Sequence, residues 1–357
     1  MSSEIKTYKC PCCSHPLKFD SEKQTLSCEA CDNSYTAEQM QDYEDFEKIS
    51  DANEFRWEDK SEHDTVDTEN MCVYSCPSCG AEIIGNEGMA ASECAYCSNP
   101  VIVESKLSGM LKPDLIIPFS ISKDEAKSAY KNYISKLKLL PDLFFEQNRI
   151  EKMTGIYVPF WLFDCTANGK FTYNATNTHI WSDSKYRYTK TDHFSIIREG
   201  TLKFDKVPVD ASAKMADEYM DALEPYNYDE LKEFDLSYIT GFYADRYDVA
   251  ASKSRERAST RIADTTSSTF RSTVNGYSSV VQKSGNIHTD VNATKYALLP
   301  VWILNTKYNG KNYLFAVNGQ TGKFIGEFPV DRKKYFKWMF GVAGITAVLA
   351  QLLLFFI

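Results

Sequence analysis

The chain has 357 residues, of which 43% are hydrophobic and 25% are charged, a composition typical of a folded globular protein. This length is long for a single core, so two or three folded units are expected. Residues Met1 to Cys10 contain no apolar run that would form a secretory signal, which excludes an exported, disulfide-forming protein. The eleven cysteines therefore suggest metal binding.

Charge is distributed unevenly along the chain. Residues 1–105 contain 22 Asp and Glu against 7 Lys and Arg, a net charge of −15, whereas the whole chain carries −9. Residues 71–105 contain no Lys or Arg at all. Nucleic-acid affinity comes largely from cations that neutralise phosphates, so the acidic character of residues 1–105 argues against a nucleic-acid partner.

Eight cysteines form two sets with the same C-x2-C-x14-C-x2-C spacing, and the second set repeats the first at an offset of 66 residues. We predict two structural zinc ions, each held by four cysteines: Cys10, Cys13, Cys28, Cys31, Cys76, Cys79, Cys94 and Cys97. Roughly thirty residues cannot bury a core unaided, and a structural zinc contributes about 10–16 kcal/mol of apparent binding energy. A redox role, in which the C-x2-C pairs cycle as dithiols, is the weaker alternative. Equal spacing selects Cys13 over Cys12 as the ligand in the first set.

The predicted organisation has two ribbons separated by a spacer, followed by a mixed domain and a terminal helix. Thr36 and Gln39 fit a capping box that opens a helix to about Ile49, and Ser122 with Glu125 fits another. A helix is also predicted from Val249 to about Phe270. The fold class is therefore two tandem small β zinc ribbons, an α+β cytoplasmic domain and one C-terminal transmembrane helix. The boundaries are ribbon 1 at 1–36, a helix and acidic spacer at 37–70, ribbon 2 at 71–105, the α+β domain at 106–330, a basic collar at 331–338 and the transmembrane helix at 339–357.

Within the α+β domain, a weak internal repeat predicts two hairpins. Pro159, Trp161 and the sequence Asn168-Gly169-Lys170 recur at an offset of 141 as Pro300, Trp302 and Asn309-Gly310-Lys311. Asn-Gly flanked by strand-forming residues is a strong hairpin signal.

The last 19 residues, Met339 to Ile357, carry no charge. At about 1.5 Å per residue they reach roughly 28 Å, close to the thickness of the bilayer core. Four cations precede them, namely Arg332, Lys333, Lys334 and Lys337. These features predict a single-pass protein of the cell membrane with its N-terminal bulk in the cytoplasm.

Several segments carry a resemblance to a known family. The paired ribbons, together with "KPDLIIPFSISKDEA", "GIYVPFWLFD", "VPVDAS", "LSYITGFYADRYDV" and "VNGQTGKFIGEFP", resemble the bacterial TFIIB-type zinc-ribbon membrane proteins of the YdjG type. Such proteins are often labelled as related to the primosomal helicase PriA, on cysteine knuckles alone. The resemblance implies a link with the phage-shock-protein A envelope-stress system, in which the family helps to hold soluble partners at the membrane. The third cysteine in "CPCC" departs from the family pattern.

No enzyme class is indicated by the remaining residues. The sequence has no P-loop, no dinucleotide fingerprint and no G-x-S-x-G elbow, and none of its five histidines belongs to a catalytic motif. Four cysteines fill a tetrahedral site, which leaves no position for an activated water. Cys12, Cys72 and Cys165 receive no role, and no small-molecule substrate is identified.

The function predicted from these observations is a membrane-anchored zinc-ribbon adaptor or scaffold, not an enzyme. Its expected partners are one or more soluble cytoplasmic proteins docked at the cytoplasmic face of the lipid bilayer, and the resemblance adds a role in the envelope-stress response. The alternative is a nucleic-acid-binding zinc-ribbon protein tethered to the membrane. The sequence does not name the partner, the oligomeric state or a ligand of residues 106–330.

Overall fold

The computed structural model describes residues 8–21, 23–47, 53–57, 65–66, 71–86, 93–106 and 110–356. The described strands are β1 (Lys18–Asp20), β2 (Thr25–Ser27), β3 (Ser34–Tyr35), β4 (Glu54–Trp57), β5 (Thr65–Val66), β6 (Met71–Ser75), β7 (Glu82–Asn86), β8 (Ile102–Lys106), β9 (Met110–Leu111), β10 (Leu115–Ile116), β11 (Thr154–Ser182), β12 (Arg187–Asp210), β13 (Lys232–Glu233), β14 (Tyr243–Asp245), β15 (Ser279–Tyr308), β16 (Lys311–Asn318) and β17 (Phe324–Gly326). The described helices are α1 (Ala37–Glu47), α2 (Lys123–Ile134), α3 (Gln147–Ile150), α4 (Asp217–Leu223), α5 (Ala251–Ser272) and α6 (Arg332–Phe356). Within the predicted helix and acidic spacer at 37–70, the part after Glu47 lies largely outside the described residues.

The chain divides into two compact units, each assembled from three separate segments. Unit 1 comprises Met1–Lys60, Phe163–Val207 and Arg255–Thr294, and unit 2 comprises Ser61–Leu162, Pro208–Ser254 and Lys295–Ile357. The first ribbon therefore belongs to unit 1 and the second to unit 2. The long strands β11, β12 and β15 contribute residues to both units.

Unit 2 is built on a sheet with the strand order β13-β10-β15-β11-β14-β7-β6-β8. The pairs β10–β15 and β11–β14 are parallel, whereas β14–β7, β7–β6 and β6–β8 are antiparallel. The strands of the second ribbon are thus continuous with the main sheet. Seven of the 21 described buried members of its core come from this ribbon: Cys72, Tyr74, Cys76, Ala81, Ile83, Cys94 and Tyr96.

Helix α2 covers a second apolar cluster in unit 2. Its buried residues Ala126, Tyr130 and Ile134 are spaced four apart, so they share one face of the helix. Ser122 caps the helix as predicted, since its side chain accepts from the Glu125 N–H while the Glu125 carboxylate accepts from the Ser122 N–H. The Tyr130 ring lies 5.6 Å from that of Phe315 on β16.

Unit 1 combines a small sheet, the portions of β11, β12 and β15 that lie within its segments, and α5 from Arg255 onward. The small sheet has the order β1-β2-β3, and α1 follows it. Thr36 and Gln39 form the predicted capping box at the start of α1. Helix α5 begins two residues after the predicted start and ends at Ser272.

The two Asn-Gly-Lys sequences adopt different structures. Asn309 and Gly310 both have positive φ, at 49° and 78°, and they form the tight turn between β15 and β16. Gly169 instead lies inside β11, where a Cβ would come within 2.7 Å of the Phe270 ring. The predicted hairpin at Asn168 is therefore absent, because this glycine admits an aromatic ring of α5 rather than a turn.

The prediction of a C-terminal transmembrane helix is wrong. Within the described residues, no helix combines the length and the apolar character needed to cross a bilayer. Helix α6 begins at Arg332, so the four cations of the predicted collar lie within the helix itself. The fold is predominantly β, and the membrane localisation with a cytoplasmic bulk, which depended on this helix, is withdrawn.

Candidate metal centres

Each C-x2-C pair of the first ribbon lies in a tight knuckle. In the first knuckle the Ser14 N–H donates to the Cys10 carbonyl at 2.8 Å, and in the second the Asp32 N–H donates to the Cys28 carbonyl at 3.0 Å. Ser14 and Asp32 have positive φ, at 60° and 56°, which turns the chain sharply after each pair. The strands β1 and β2 connect the two knuckles and bring all four thiols together.

The four sulfurs of the first cluster are separated by distances typical of a common metal ion. Cys10 Sγ lies 3.6 Å from Cys31 Sγ, and Cys13 Sγ lies 3.4 Å from Cys28 Sγ and 3.5 Å from Cys31 Sγ. Four thiolates at about 2.3 Å from a tetrahedral zinc would be about 3.8 Å apart. The four sulfurs therefore fit a zinc ion closely, and the three sulfur–sulfur distances given above are slightly shorter than this ideal value.

The second cluster repeats this geometry. Cys76 Sγ lies 3.5 Å from Cys97 Sγ, and Cys79 Sγ lies 3.7 Å from Cys94 Sγ. Its knuckles close through hydrogen bonds from the Gly80 N–H to the Cys76 carbonyl and from the Ser98 N–H to the Cys94 carbonyl. In each cluster all four sulfurs lie within 4.8 Å of one another. The arrangement is thus compatible with two metal ions, one in each unit.

Electrostatics make both clusters favourable for a cation. Burial raises the pKa of the Cys10 thiol, but hydrogen bonds, first those of the Cys12 and Cys13 backbone N–H groups and then those of Tyr35 and Cys31, together more than offset this effect and bring the pKa to about 7. The same balance, with backbone N–H groups of Cys79 and Ser78, brings the pKa of Cys76 to about 7. Burial and neighbouring thiols raise the pKa of Cys79 to about 11. One thiolate per cluster is therefore readily formed, and a divalent cation would offset the repulsion that opposes the others.

An asparagine beside each cluster was not predicted from the sequence. Asn33 Nδ2 donates to Cys31 Sγ at 3.5 Å and to the His193 carbonyl at 3.0 Å. Asn99 Nδ2 donates to Cys97 Sγ at 3.5 Å and to Ser78 Oγ at 2.7 Å. Such hydrogen bonds orient a ligand and stabilise its negative charge. The sequence did contain a signal for these hydrogen bonds, because an asparagine stands two residues after the last cysteine in both sets.

The three other cysteines lie outside the clusters. Cys12 Sγ lies 3.2 Å from the hydroxyl of Tyr35, which also lies 3.7 Å from Cys10 Sγ. Cys72 is buried in β6 and Cys165 is buried in β11, where burial raises the pKa of the Cys165 thiol to about 12. Both behave as small apolar side chains. None of the histidines belongs to a metal-ligating group within the described residues.

A buried hydrogen-bond network connects the second cluster to the core of unit 2. Tyr96, which lies between Cys94 and Cys97, donates its hydroxyl to Asp245 Oδ2 at 2.7 Å, and Ser212 Oγ lies 2.6 Å from the same oxygen. Burial raises the pKa of Asp245 to about 6, although these two hydrogen bonds lower it. Local sequence patterns do not reveal this network, because Tyr96 and Asp245 are 149 residues apart.

The fold and the two clusters define a predominantly β protein with two candidate tetracysteine metal centres. The chain is 37% identical over 348 residues to YdjG, an uncharacterized protein of Bacillus subtilis (strain 168), and the match covers 98% of this chain and 97% of YdjG. The chain therefore belongs to the YdjG family. No protein-family model and no solved structure matches it.

Proposed function

We propose that this chain is a zinc-ribbon adaptor that docks protein partners and that its two metal ions are structural. The observation that carries the proposal is the closed donor set of both clusters, which lie in the acidic part of the chain. Four thiolates complete the tetrahedron of a zinc ion and leave no open position for catalysis. Bound zinc would leave a formal charge of −2 on each centre.

The charge around the clusters favours proteins over nucleic acid as partners. Residues 1–105 carry a net charge of −15, and residues 71–105 contain no cation. Phosphate backbones would be repelled by this surface, whereas a protein with a basic patch would be attracted. This proposal includes two further statements: that the two ribbons are of the TFIIB type, and that the protein has a place in the phage-shock-protein A envelope-stress system. The proposal does not include a membrane anchor.

Unit 1 also presents a surface suited to protein contacts. At the tip of the β11–β12 hairpin, Trp181 and Tyr186 are 52% and 65% exposed. The Trp181 and Tyr188 rings stack at 5.6 Å, and Asp183 holds the turn by accepting from the N–H groups of Lys185 and Tyr186. Trp, Tyr and Arg dominate interface hot spots, and a rigid tip loses little entropy on binding.

The test is affinity capture from cell extract with the full-length chain as bait. Reversing two exposed charges of unit 1, in the variant Glu29→Lys/Glu38→Lys, should reduce recovery of the partner several-fold and weaken the salt dependence of capture. The matched control Glu233→Lys/Glu327→Lys reverses two exposed charges that lie outside residues 1–105, and it should capture the partner as the wild type does.

Truncation of residues 1–105 is a poor test, because β6, β7 and β8 belong to the main sheet of unit 2. The alternative function predicts instead that the full-length chain binds single-stranded DNA or RNA oligonucleotides with submicromolar, salt-sensitive affinity. That result, combined with no specific protein recovered, would contradict the proposal.

A further inference from the structure

A cavity of about 560 Å³ lies in unit 2, between the segment after α2 and the start of α6. Its walls are held together by hydrogen bonds of the backbone and of the Lys334 side chain. The Asp331 N–H donates to the Leu139 carbonyl at 2.8 Å, and Lys334 Nζ donates to the Leu140 carbonyl at 2.7 Å and to Asp142 at 2.6 Å. The volume lies within the roughly 300–1,000 Å³ of small-molecule sites, and the cavity is already formed in the folded chain.

The interior of this cavity is apolar. Seven of its nine lining residues are apolar: Leu137, Leu139, Leu140, Phe328, Pro329, Val330 and Trp338. Leu140 is buried, whereas Val330 is 56% exposed. A pocket with this lining favours an apolar body, since filling it removes hydrocarbon surface from water.

The two remaining lining residues are Lys136 and Lys138. Lys138 Nζ lies 5.0 Å from the centroid of the Trp338 ring, a cation–π contact that holds the ammonium group beside the cavity. Three further cations, Arg332, Lys333 and Lys337, follow in the first turns of α6. Among the described side chains, none of these five cations forms an ion pair with a carboxylate.

The neighbouring carboxylates are already engaged. Asp142 pairs with Lys334, and Asp331 Oδ1 accepts from the N–H groups of Lys333 and Lys334 at the start of α6. An apolar cavity beside uncompensated ammonium groups complements a molecule with an apolar body and one negative charge.

We propose that this cavity binds a long-chain fatty acid, with its acyl chain against the leucines and its carboxylate at Lys136 and Lys138. A nucleotide or sugar would leave its polar groups unpaired against the apolar lining. A neutral hydrocarbon would gain nothing from the lysines. The site shares no residue with either metal cluster and does not depend on the proposed adaptor function.

The main competing explanation is adsorption along α6, because this helix exposes other apolar side chains. Ile345 is 64% exposed, comparable to Val330, but it does not line the cavity. Val330→Asp and Ile345→Asp are therefore a matched pair: each places a carboxylate at an exposed apolar position, and only the first places it in the proposed site.

The experiment is equilibrium dialysis of radiolabelled oleate, below its critical micelle concentration, against the full-length chain. We expect one oleate per chain, bound at least about tenfold more weakly by Val330→Asp because its carboxylate is unfavourable beside the acyl chain. Lys138→Gln should weaken oleate binding about tenfold but leave binding of oleyl alcohol unchanged, since it removes the positive charge that would face the carboxylate and keeps a polar side chain at this position. Lys123→Gln, on α2 outside the cavity, is the control for lost charge. Equal effects of Val330→Asp and Ile345→Asp, oleate bound no better than oleyl alcohol, or no binding at all would each overturn the proposal.

Discussion

Replacing one exposed ligand in each cluster should have different consequences for the two units. Cys13 and Cys79 occupy the same position in their sets, and both are exposed, so Cys13→Ser and Cys79→Ser change ligation with little change in packing. If about 10–16 kcal/mol of structural zinc binding is shared among four thiolates, each replacement forfeits at least about 3–4 kcal/mol, and more where the metal ion is lost altogether. A domain typically has only about 5–15 kcal/mol of total stability.

In unit 2 this loss should spread into the main sheet. Strand β7 of the second ribbon pairs with β14, where Ala244 faces Ile84, and β14 pairs in turn with β11. The Tyr96–Asp245 hydrogen bond adds a side-chain connection between the cluster and β14. For a domain of roughly 150–250 residues, 3–4 kcal/mol lowers Tm by roughly 6–16 °C. In unit 1 the sheet β1-β2-β3 pairs only with itself among the described strands, so the effect of Cys13→Ser should remain local.

Hydrogen–deuterium exchange measured by mass spectrometry distinguishes these outcomes, with elemental analysis to verify that each variant loses one metal equivalent. Cys79→Ser should increase exchange in β7, β14 and the Ile156 region of β11, whereas Cys13→Ser should increase exchange only in β1 to β3 and near His193. The reasoning is refuted if Cys79→Ser loses its metal and exchange in β14 stays at the wild-type level.

Two further predictions concern single side chains near the clusters. Cys12→Ser should keep two metal equivalents, because Cys12 Sγ contacts the Tyr35 hydroxyl and is not a member of the four-sulfur group; a loss of metal, measured by elemental analysis, would show that the ligand assignment is wrong. Asp245→Asn should change how stability depends on pH. The folded pKa of Asp245, about 6, is above its ordinary 3.8, so its contribution to stability is fully present below pH 4 and is lost as pH rises through 6. Urea unfolding should therefore show the wild type losing about 3 kcal/mol relative to Asp245→Asn between pH 4 and 7, and parallel curves for the two proteins would contradict this.

Local patterns in the sequence predicted several elements of the structure correctly. The capping boxes at Thr36 and Ser122 and the turn at Asn309-Gly310 all form. Each depends on residues within four positions of one another, so its energetics are contained in a short stretch of chain. The grouping of the eight cysteines into two sets belongs to the same category, because each knuckle is a local turn and equal spacing brings two knuckles together. That these sulfurs bind zinc stays a prediction.

The C-terminal helix shows where a local pattern was insufficient. Hydropathy predicted a span from Met339, but a helix begins where its backbone hydrogen bonds begin, and Asp331 caps α6 before the cations. The cations are therefore part of the helix rather than a collar outside it, and no helix among the described residues is long and apolar enough to cross a bilayer.

Only the tertiary structure decided how the two similar ribbons differ and where identical short sequences diverge. The sequence by itself determined two equivalent cysteine sets, yet one has a separate three-stranded sheet and the other is joined to the main sheet through β14. Likewise, Gly310 forms a turn, whereas Gly169 lies in a strand because the Phe270 ring needs the space of a missing Cβ. Burial by distant segments raises the pKa of Asp245 to about 6. In each case the deciding partner lies far away in sequence, and the free energy of that contact exists only once the chain has folded.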